Sequence, residues 1–421
     1  MDHFQFKDGV MHAEGISLEM LARDVGTPFY CYSSATMERH FTVFRDAVAG
    51  LGNGSPLVAF AVKANPNLAV LATLARLGAG ADVVSGGELA RALAAGVPAN
   101  RIVFSGVGKT RAELAAGIDA GILQFNVESE AEIDMLGAVA AAKGATVEIA
   151  IRINPAVDPK THGKISTGGA DAKFGIPWER LPAAFAQAAA HPKLRPVCLA
   201  AHIGSQLTDL GPVEDAIRKL GDLARQLEAV GHSIKRVDVG GGLGVPYRRD
   251  QPSPPSPADY AAMVARATAG WPWQLMFEPG RMIVGNAGVL VSEVILTKDG
   301  ASKHFVVVDA AMNDLLRPSL YGAWHDILAV RPKAERTIAT VVGPICETGD
   351  TFAEDRTMED VQAGDLLAFM TAGAYGATMA STYNSRPLVP EVMVKGDAWA
   401  LVSERKSPAE MMALDTTPPW L

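Results

Sequence analysis

A chain of 421 residues, 48% of them hydrophobic, holds more apolar mass than one ordinary core, since single cores stop growing near roughly 250 to 300 residues. Two domains are expected, or one large barrel with an appendage. A formal net charge of −8 and the lack of a basic stripe exclude nucleic acid, whose phosphates demand a basic face, while three widely spaced cysteines (Cys31, Cys198 and Cys346) with no Cys-x-x-Cys pair speak against a disulfide framework or a zinc site.

In chain order, residues 1–9 (MDHFQFKDG) lack the charged-then-apolar layout of a signal peptide, and no stretch reaches the ~18 uninterrupted apolar residues of a membrane span. A cytoplasmic enzyme is the expectation. Residues 26–32 (GTPFYCY) read as a strand outside any helix-bearing repeat, free to pair with something distant, and a helix-like stretch follows from Arg39. The run 58–62 within VAFAVKAN is too short for a buried helix and rich enough in valine for a buried parallel strand. It ends in Lys63. A lysine at the lip of a buried strand, its ammonium near low-dielectric walls, is a nucleophile toward a carbonyl; the bland alternative is a solvated rim charge.

Seven further runs of the same kind follow, at 81–85 (ADVVS), 101–105 (RIVFS), 122–127 (ILQFNV), 146–153 (TVEIAIRI), 197–202 (VCLAAH), 237–240 (VDVG) and 275–278 (LMFE). Ala/Leu-rich segments of helical period separate them, among them 67–77, 86–95, 128–142, 179–190 and 214–229. Eight strand–helix units predict a (β/α)8 barrel, with a doubly wound open sheet as the competitor. The polar, glycine-rich part of 155–175 could fold over a ligand, and 251–257 (QPSPPSP) reads as a stiff surface connection and not a domain boundary. Beyond Arg281, short β-branched runs at 288–297, 305–309, 337–342, 365–369 and 398–402 mostly lack helices between them and predict a β-sandwich or β-barrel that the N-terminal strand completes. The expected division is 33–281 for the barrel, with 1–32 and 282–421 forming the β domain.

Active sites of (β/α)8 barrels lie at the C-terminal ends of the strands. There the chain places Lys63, Asp82 with Ser85 and Glu88, Arg152 and Asn154, 202–206 (HIGSQ), 240–244 (GGGLG) and 278–281 (EPGR). Singly, each has a structural reading: rim charges, a hydrogen-bonded histidine, a turn. Together, triple glycine after strand seven and glycine plus arginine after strand eight fall where such barrels hold a phosphate. A phosphate site, a buried lysine, the flat ring of His202 and the carboxylate of Glu278 describe a pyridoxal phosphate pocket, with Lys63 covalently holding the cofactor, His202 stacked on its ring and Glu278 at the ring nitrogen.

These motifs, with 61–65 (AVKAN), 82–88 (DVVSGGE), 317–321 (RPSLY), 343–350 (GPICETGD), 372–381 (AGAYGATMAS) and 383–387 (YNSRP), cover nearly the whole chain. The sequence resembles the diaminopimelate decarboxylases, of the alanine-racemase-like (fold type III) class of pyridoxal phosphate enzymes. The resemblance implies that Lys63 binds pyridoxal 5'-phosphate, that Asp82, His202, Ser205, Gly241, Gly242, Glu278, Gly280, Arg281 and Tyr375 surround it, and that Glu88 and Asp82 are supporting acids. It implies decarboxylation of meso-diaminopimelate, with Cys346 as the proton donor to Cα, although on sequence alone a cysteine beside isoleucine is more often inert core. Arg281, Arg317, Tyr321, Tyr375 and Glu347 supply the cations, hydroxyls and anion that a distal amino-acid head requires. It further implies a homodimer whose sites are shared, Cys346 and Glu347 reaching the partner's cofactor. A decarboxylase for a D-amino acid or carboxynorspermidine, and a non-catalytic pyridoxal phosphate-binding protein, are the alternatives.

Overall fold

The computed structural model describes residues 2–154 and 173–421. The glycine-rich stretch expected to cover a ligand, 161–170, lies outside the described residues. Eight parallel strands pair in chain order: Leu57–Ala61, Gly80–Val83, Ile102–Phe104, Gln124–Val127, Val147–Asn154, Leu194–Ala201, Arg236–Asp238 and Gln274–Phe277. Met276 and Phe277 of the eighth pair back onto Leu57 and Val58 of the first, so the sheet is a closed barrel and not an open doubly wound sheet. Closure leaves these strands no exposed edge, and burial on both faces makes them read as near-continuous apolar runs.

Polar residues after the strands start the helices. The Asn67 side chain caps Leu68–Arg76, Ser85 caps Gly86–Ala94, Ser129 caps Glu130–Ala142, and Thr110 with Glu113 forms a capping box on Arg111–Ala120. Each such cap contributes about 1 kcal/mol and fixes where the strand-to-helix turn ends. Glu88 is used locally: its Oε2 accepts from the Val84 N–H at 2.8 Å while its own N–H donates to Ser85 Oγ.

The chain divides into two compact units, Glu38–Val245 with Ser253–Ile283, and Met1–Met37 with Pro246–Pro252 and Val284–Leu421. The reading of 251–257 as a connection inside one domain is therefore corrected. Pro246–Pro252 belongs with the β unit, the barrel unit resumes at Ser253, and Pro257 already opens a helix, Pro257–Ala267, capped by a Ser256–Asp259 box. Proline at the first helical position costs no hydrogen bond, so a proline run can end by starting a helix.

In the β unit the strand Phe29–Ser33 does find distant partners, antiparallel to Gly288–Asp299 and parallel to Glu391–Lys395. The twelve-residue strand Gly288–Asp299 also pairs with Leu366–Phe369 and His304–Val308, and a further pair, Arg336–Val342 with Thr351–Glu359, extends the sheet. A small sheet of Phe4–Lys7, Val10–Ala13 and Ile16–Ser17 contributes Phe4, Met11 and Ile16 to the core around Phe29, Val289 and Val392.

Candidate active site

Strand one turns into a single 3-10 turn, Val62–Ala64, that carries Lys63. Its Nζ donates to Asp82 Oδ2 at 2.8 Å, the Asp82 side chain being 0% exposed and that of Lys63 39%. An ion pair, and not an apolar wall, thus surrounds the ammonium. Burial pushes the Asp82 carboxyl up, but the charge and hydrogen bond of Lys63 outweigh it and hold the group below its usual range.

His202 follows strand six, and its Nδ1 accepts from the Gly241 N–H at 3.3 Å, which fixes the ring plane and leaves the proton on Nε2. Burial first, then the cations Arg152 and Lys63, bring its pKa down to about 3, so the ring is neutral. Glu278 follows strand eight. Burial, then Asp238 and Asp82, raise its carboxyl well above the usual range against the pull of Lys63, and Asn126 Nδ2 reaches its Oε1 at 3.4 Å. Arg281 is buried and donates twice to Ser205 Oγ, from Nε at 3.3 Å and from Nη2 at 3.0 Å.

Between these groups the backbone is bare of necessity. A Cβ on Gly241 would lie 2.0 Å from the Glu278 carbonyl oxygen, one on Gly242 (φ +110°) 2.2 Å from that of Gly204, and one on Gly280 3.0 Å from Ala61 Cβ. The three glycines therefore form a cradle that no side chain can enter. A neutral ring fixed in plane, a lysine held at a strand end, a half-buried carboxyl and a backbone cradle beside a buried arginine are the complement of a flat, phosphorylated, aldehyde-bearing heterocycle. The residues present fit pyridoxal 5'-phosphate.

The remaining expected residues belong to the β unit. Arg317 is buried, its Nη1 donates to His325 Nε2 at 2.7 Å, and His325 Nδ1 in turn donates to the Met370 carbonyl at 2.8 Å. The guanidinium carbon lies 4.3 Å over the ring of Tyr247. These contacts fix the guanidinium plane, as bidentate recognition of a carboxylate requires. Tyr321 ends the same short helix, Arg317–Tyr321. The loop bearing Cys346 and Glu347 wraps around Asp350, whose carboxylate accepts from the Ile345 N–H at 2.7 Å and the Met312 N–H at 2.6 Å. Ile345 is thereby buried and the next two residues are exposed. The expectation of an inert core cysteine fails for Cys346, while Cys31 and Cys198 are buried. Tyr383 OH donates to Glu347 Oε2 at 3.0 Å, and the Cys346 N–H donates to Asn384 Oδ1 at 3.1 Å. Tyr375 sits at φ +56°, a left-handed conformation that costs a tyrosine about 1–2 kcal/mol.

The barrel unit therefore carries Lys63, Asp82, His202, Ser205, Gly241, Gly242, Glu278, Gly280 and Arg281 at its strand ends, and the β unit carries Arg317, Tyr321, Cys346, Glu347 and Tyr375. Sequence reasoning missed the residues that hold these in place: Asn126 and Asp238 beside Glu278, His325 and Tyr247 beside Arg317, and Tyr383 and Asn384 beside Cys346 and Glu347. Tyr383 and Asn384 had a signal in the stretch 383–387, and Asn126 had one as an inward amide in ILQFNV.

Residues 34–285 match the family model described as the pyridoxal binding domain of pyridoxal-dependent decarboxylases. The chain is 51% identical over 418 residues to a diaminopimelate decarboxylase of Zymomonas mobilis, covering 99% of each, and 48% identical over 422 residues to that of Vibrio cholerae, covering 100% of each. Among solved structures, the diaminopimelate decarboxylase from M. jannaschii in co-complex with L-lysine superposes with a TM-score of 0.95 at 38% identity, covering 100% of this chain and 99% of that one. The Helicobacter pylori enzyme complexed with L-lysine gives 0.90 at 41% identity, covering 94% and 98%. With relatives this similar along their full length, the chain belongs to the family of pyridoxal-dependent diaminopimelate decarboxylases.

Proposed function

We propose that this protein converts meso-2,6-diaminopimelate to L-lysine and carbon dioxide, the last step of lysine biosynthesis, using pyridoxal 5'-phosphate. The observation that carries the proposal is the joint placement, on one barrel rim, of Lys63 paired with Asp82, neutral His202 and half-buried Glu278. Bound pyridoxal phosphate supplies an electron sink for the bond that releases carbon dioxide. The chain's own groups do the rest. Lys63 would hold the cofactor through its amine, with Asp82 keeping the lysine in place. His202, uncharged, would lie against the ring without competing for its electrons. Glu278, whose raised pKa lets it hold a proton, would give that proton to the ring nitrogen and keep it there as the facing carboxylate. The glycine cradle with Ser205 and Arg281 takes the phosphate end and the adjoining carboxylate.

Loss of carbon dioxide leaves an electron pair on Cα, and a proton must take the place of the carboxylate. We assign its delivery to the Cys346 thiol. Arg317, pinned by His325 and Tyr247, would grip the distal carboxylate, with Tyr321 and Tyr375 as hydroxyl donors and Glu347 for the distal ammonium. The exposure of Cys346 and Glu347 supports a homodimer in which each chain lends this pair to the partner's site. A cytoplasmic location goes with this reading; among the described residues no helix is long and apolar enough to cross a membrane.

Carbon dioxide release from a panel of amino acids tests the assignment. Turnover of meso-diaminopimelate alone is expected. Preference for a D-amino acid or carboxynorspermidine would change the substrate, and coloured protein without any release would leave a cofactor-binding protein only.

A further inference from the structure

Barrel interiors are ordinarily apolar, and much of this one is: Leu57, Ala59, Val103, Ala150, Cys198, Ala200 and Met276 pack as a cluster. Across it runs a line of polar side chains. Gln124 and Asn126 stand two apart on strand four and so face the same way, as do Arg236 and Asp238 on strand seven. Gln124 is 1% exposed, Asn126 2% and Arg236 8%. Burying amides and a guanidinium costs free energy unless each is hydrogen-bonded.

The bonds they make are directional. Arg236 Nε meets Gln124 Oε1 at 3.1 Å, Gln124 Nε2 meets Asn126 Oδ1 at 2.8 Å, and Asn126 Nδ2 meets Ser105 Oγ at 3.1 Å and Glu278 Oε1 at 3.4 Å. A guanidinium can only donate. Arg236 therefore forces the oxygen of Gln124 toward itself and the nitrogen away, which forces the oxygen of Asn126 toward Gln124 and its nitrogen toward Glu278. Arg236 is tied from the other side by Glu148, which also binds Lys235 at 2.6 Å.

We propose that Arg236, Gln124 and Asn126 are positioning residues: a polarised amide chain through the barrel keeps an N–H donor aimed at Glu278, and so favours the carboxylate that faces the ring nitrogen of the cofactor. This rests on the pyridoxal phosphate reading of the site. The chain is needed because the other neighbours of Glu278 mostly oppose its ionisation. Asp238 on strand seven and Asp82 on strand two are acids that raise its pKa together with burial, and only the ammonium of Lys63 lowers it. Were either amide reversed, Asn126 would present its oxygen to Glu278 and add to that opposition.

The test uses Arg236→Met, in which Glu148 keeps Lys235 as its partner, and Gln124→Met, which removes one hydrogen bond of Arg236 but leaves it paired with Glu148 and takes no hydrogen bond from Glu278. In cofactor-free protein the carboxyl stretch of Glu278 is followed by infrared difference titration, the band being assigned with Glu278→Gln. Both variants are expected to raise the pH of its deprotonation by at least about half a unit, about threefold in the ionisation constant, and to weaken retention of added pyridoxal phosphate about tenfold by absorbance titration. Should Arg236→Met fail to fold, Gln124→Met carries the same expectation alone. A folded variant whose Glu278 band titrates as in the wild type overturns the proposal. The two readings fail separately: wild-type protein that stays colourless with pyridoxal phosphate refutes the cofactor assignment, whereas coloured wild type with an unmoved Glu278 band in the variants refutes only the amide chain.

Discussion

Replacing Gly241 by alanine probes the cradle at its tightest point. The new Cβ would stand 2.0 Å from the carbonyl oxygen of Glu278, against an ordinary contact of 3.4–4 Å, so strands seven and eight would have to part locally by about 1.4 Å. The obstacle is backbone, which cannot swing aside as a flexible side chain can. That parting would strain the 2.9 Å bond from the Glu278 N–H to the Gly240 carbonyl, which sets where Glu278 begins. Overpacking of this kind costs about 1–3 kcal/mol, and the upper part of that range is expected here. If most of the strain falls on the cofactor-binding conformation, affinity for pyridoxal phosphate drops roughly 10- to 100-fold, at 1.4 kcal/mol per decade. Gly87→Ala is the control: its Cβ would find only Ser85 Oγ at 3.7 Å, inside the helix Gly86–Ala94, so stability should stay level or rise by up to about 1 kcal/mol. Absorbance titration of cofactor-free protein measures affinity, and thermal melting measures fold integrity. A Gly241→Ala protein that binds pyridoxal phosphate within twofold of wild type, with an unchanged melting temperature, would show that the turn has slack and that the cradle argument is wrong.

Cys346→Ala should retain the cofactor's absorbance while carbon dioxide release slows by about 10²–10⁴-fold; unchanged turnover removes this thiol as the donor. Lys109 is buried and donates to the carbonyls of Gly106 and Asn126 at 2.7 and 2.8 Å and to Glu132 at 2.7 Å. Lys109→Met strands the Glu132 carboxylate and should cost about 3–5 kcal/mol in urea unfolding, with Lys109→Met/Glu132→Gln recovering about half; a loss below about 1 kcal/mol contradicts this. Asp314 is lifted to about 6, chiefly by burial, so the folded chain holds this proton to higher pH than the unfolded one. Its stabilising contribution is complete below about pH 4 and disappears as pH rises through about 6. Asp314→Asn should flatten the stability profile across that window, and an unaltered slope would rule the residue out.

The barrel was legible because burial on both faces writes each strand as an apolar run that stops at a polar residue, and those stops are the rim where Lys63, His202 and Glu278 stand. Thr351–Glu359 (TFAEDRTME) went unread for the opposite reason: it is an edge strand, where charged side chains are favoured and the apolar signal is diluted. The supports of the site were hidden by distance. Tyr247 packs on Arg317 from seventy positions earlier in the chain, and Asn126 meets Glu278 across 152. A pattern read along one strand records which way a residue faces, but not what stands across the barrel. Gln124 and Asn126 could have been flagged as two inward amides in ILQFNV, yet their partner Arg236 lies 112 residues from Gln124. Lys63 was found for an incomplete reason, since nothing along the chain tells that Asp82 supplies the charge beside it.

The pairing of Phe29–Ser33 with Gly288–Asp299 and Glu391–Lys395 also orders events at the ribosome. Strands of the barrel can join as soon as Phe277 has emerged, because every partner lies between Leu57 and that residue. The second unit has no such option. One of its central strands is translated almost first, gains one neighbour only when Gly288–Asp299 emerges and the other only with Glu391–Lys395, and so marks 29–33 as a segment in need of a chaperone or a short-lived substitute neighbour during synthesis.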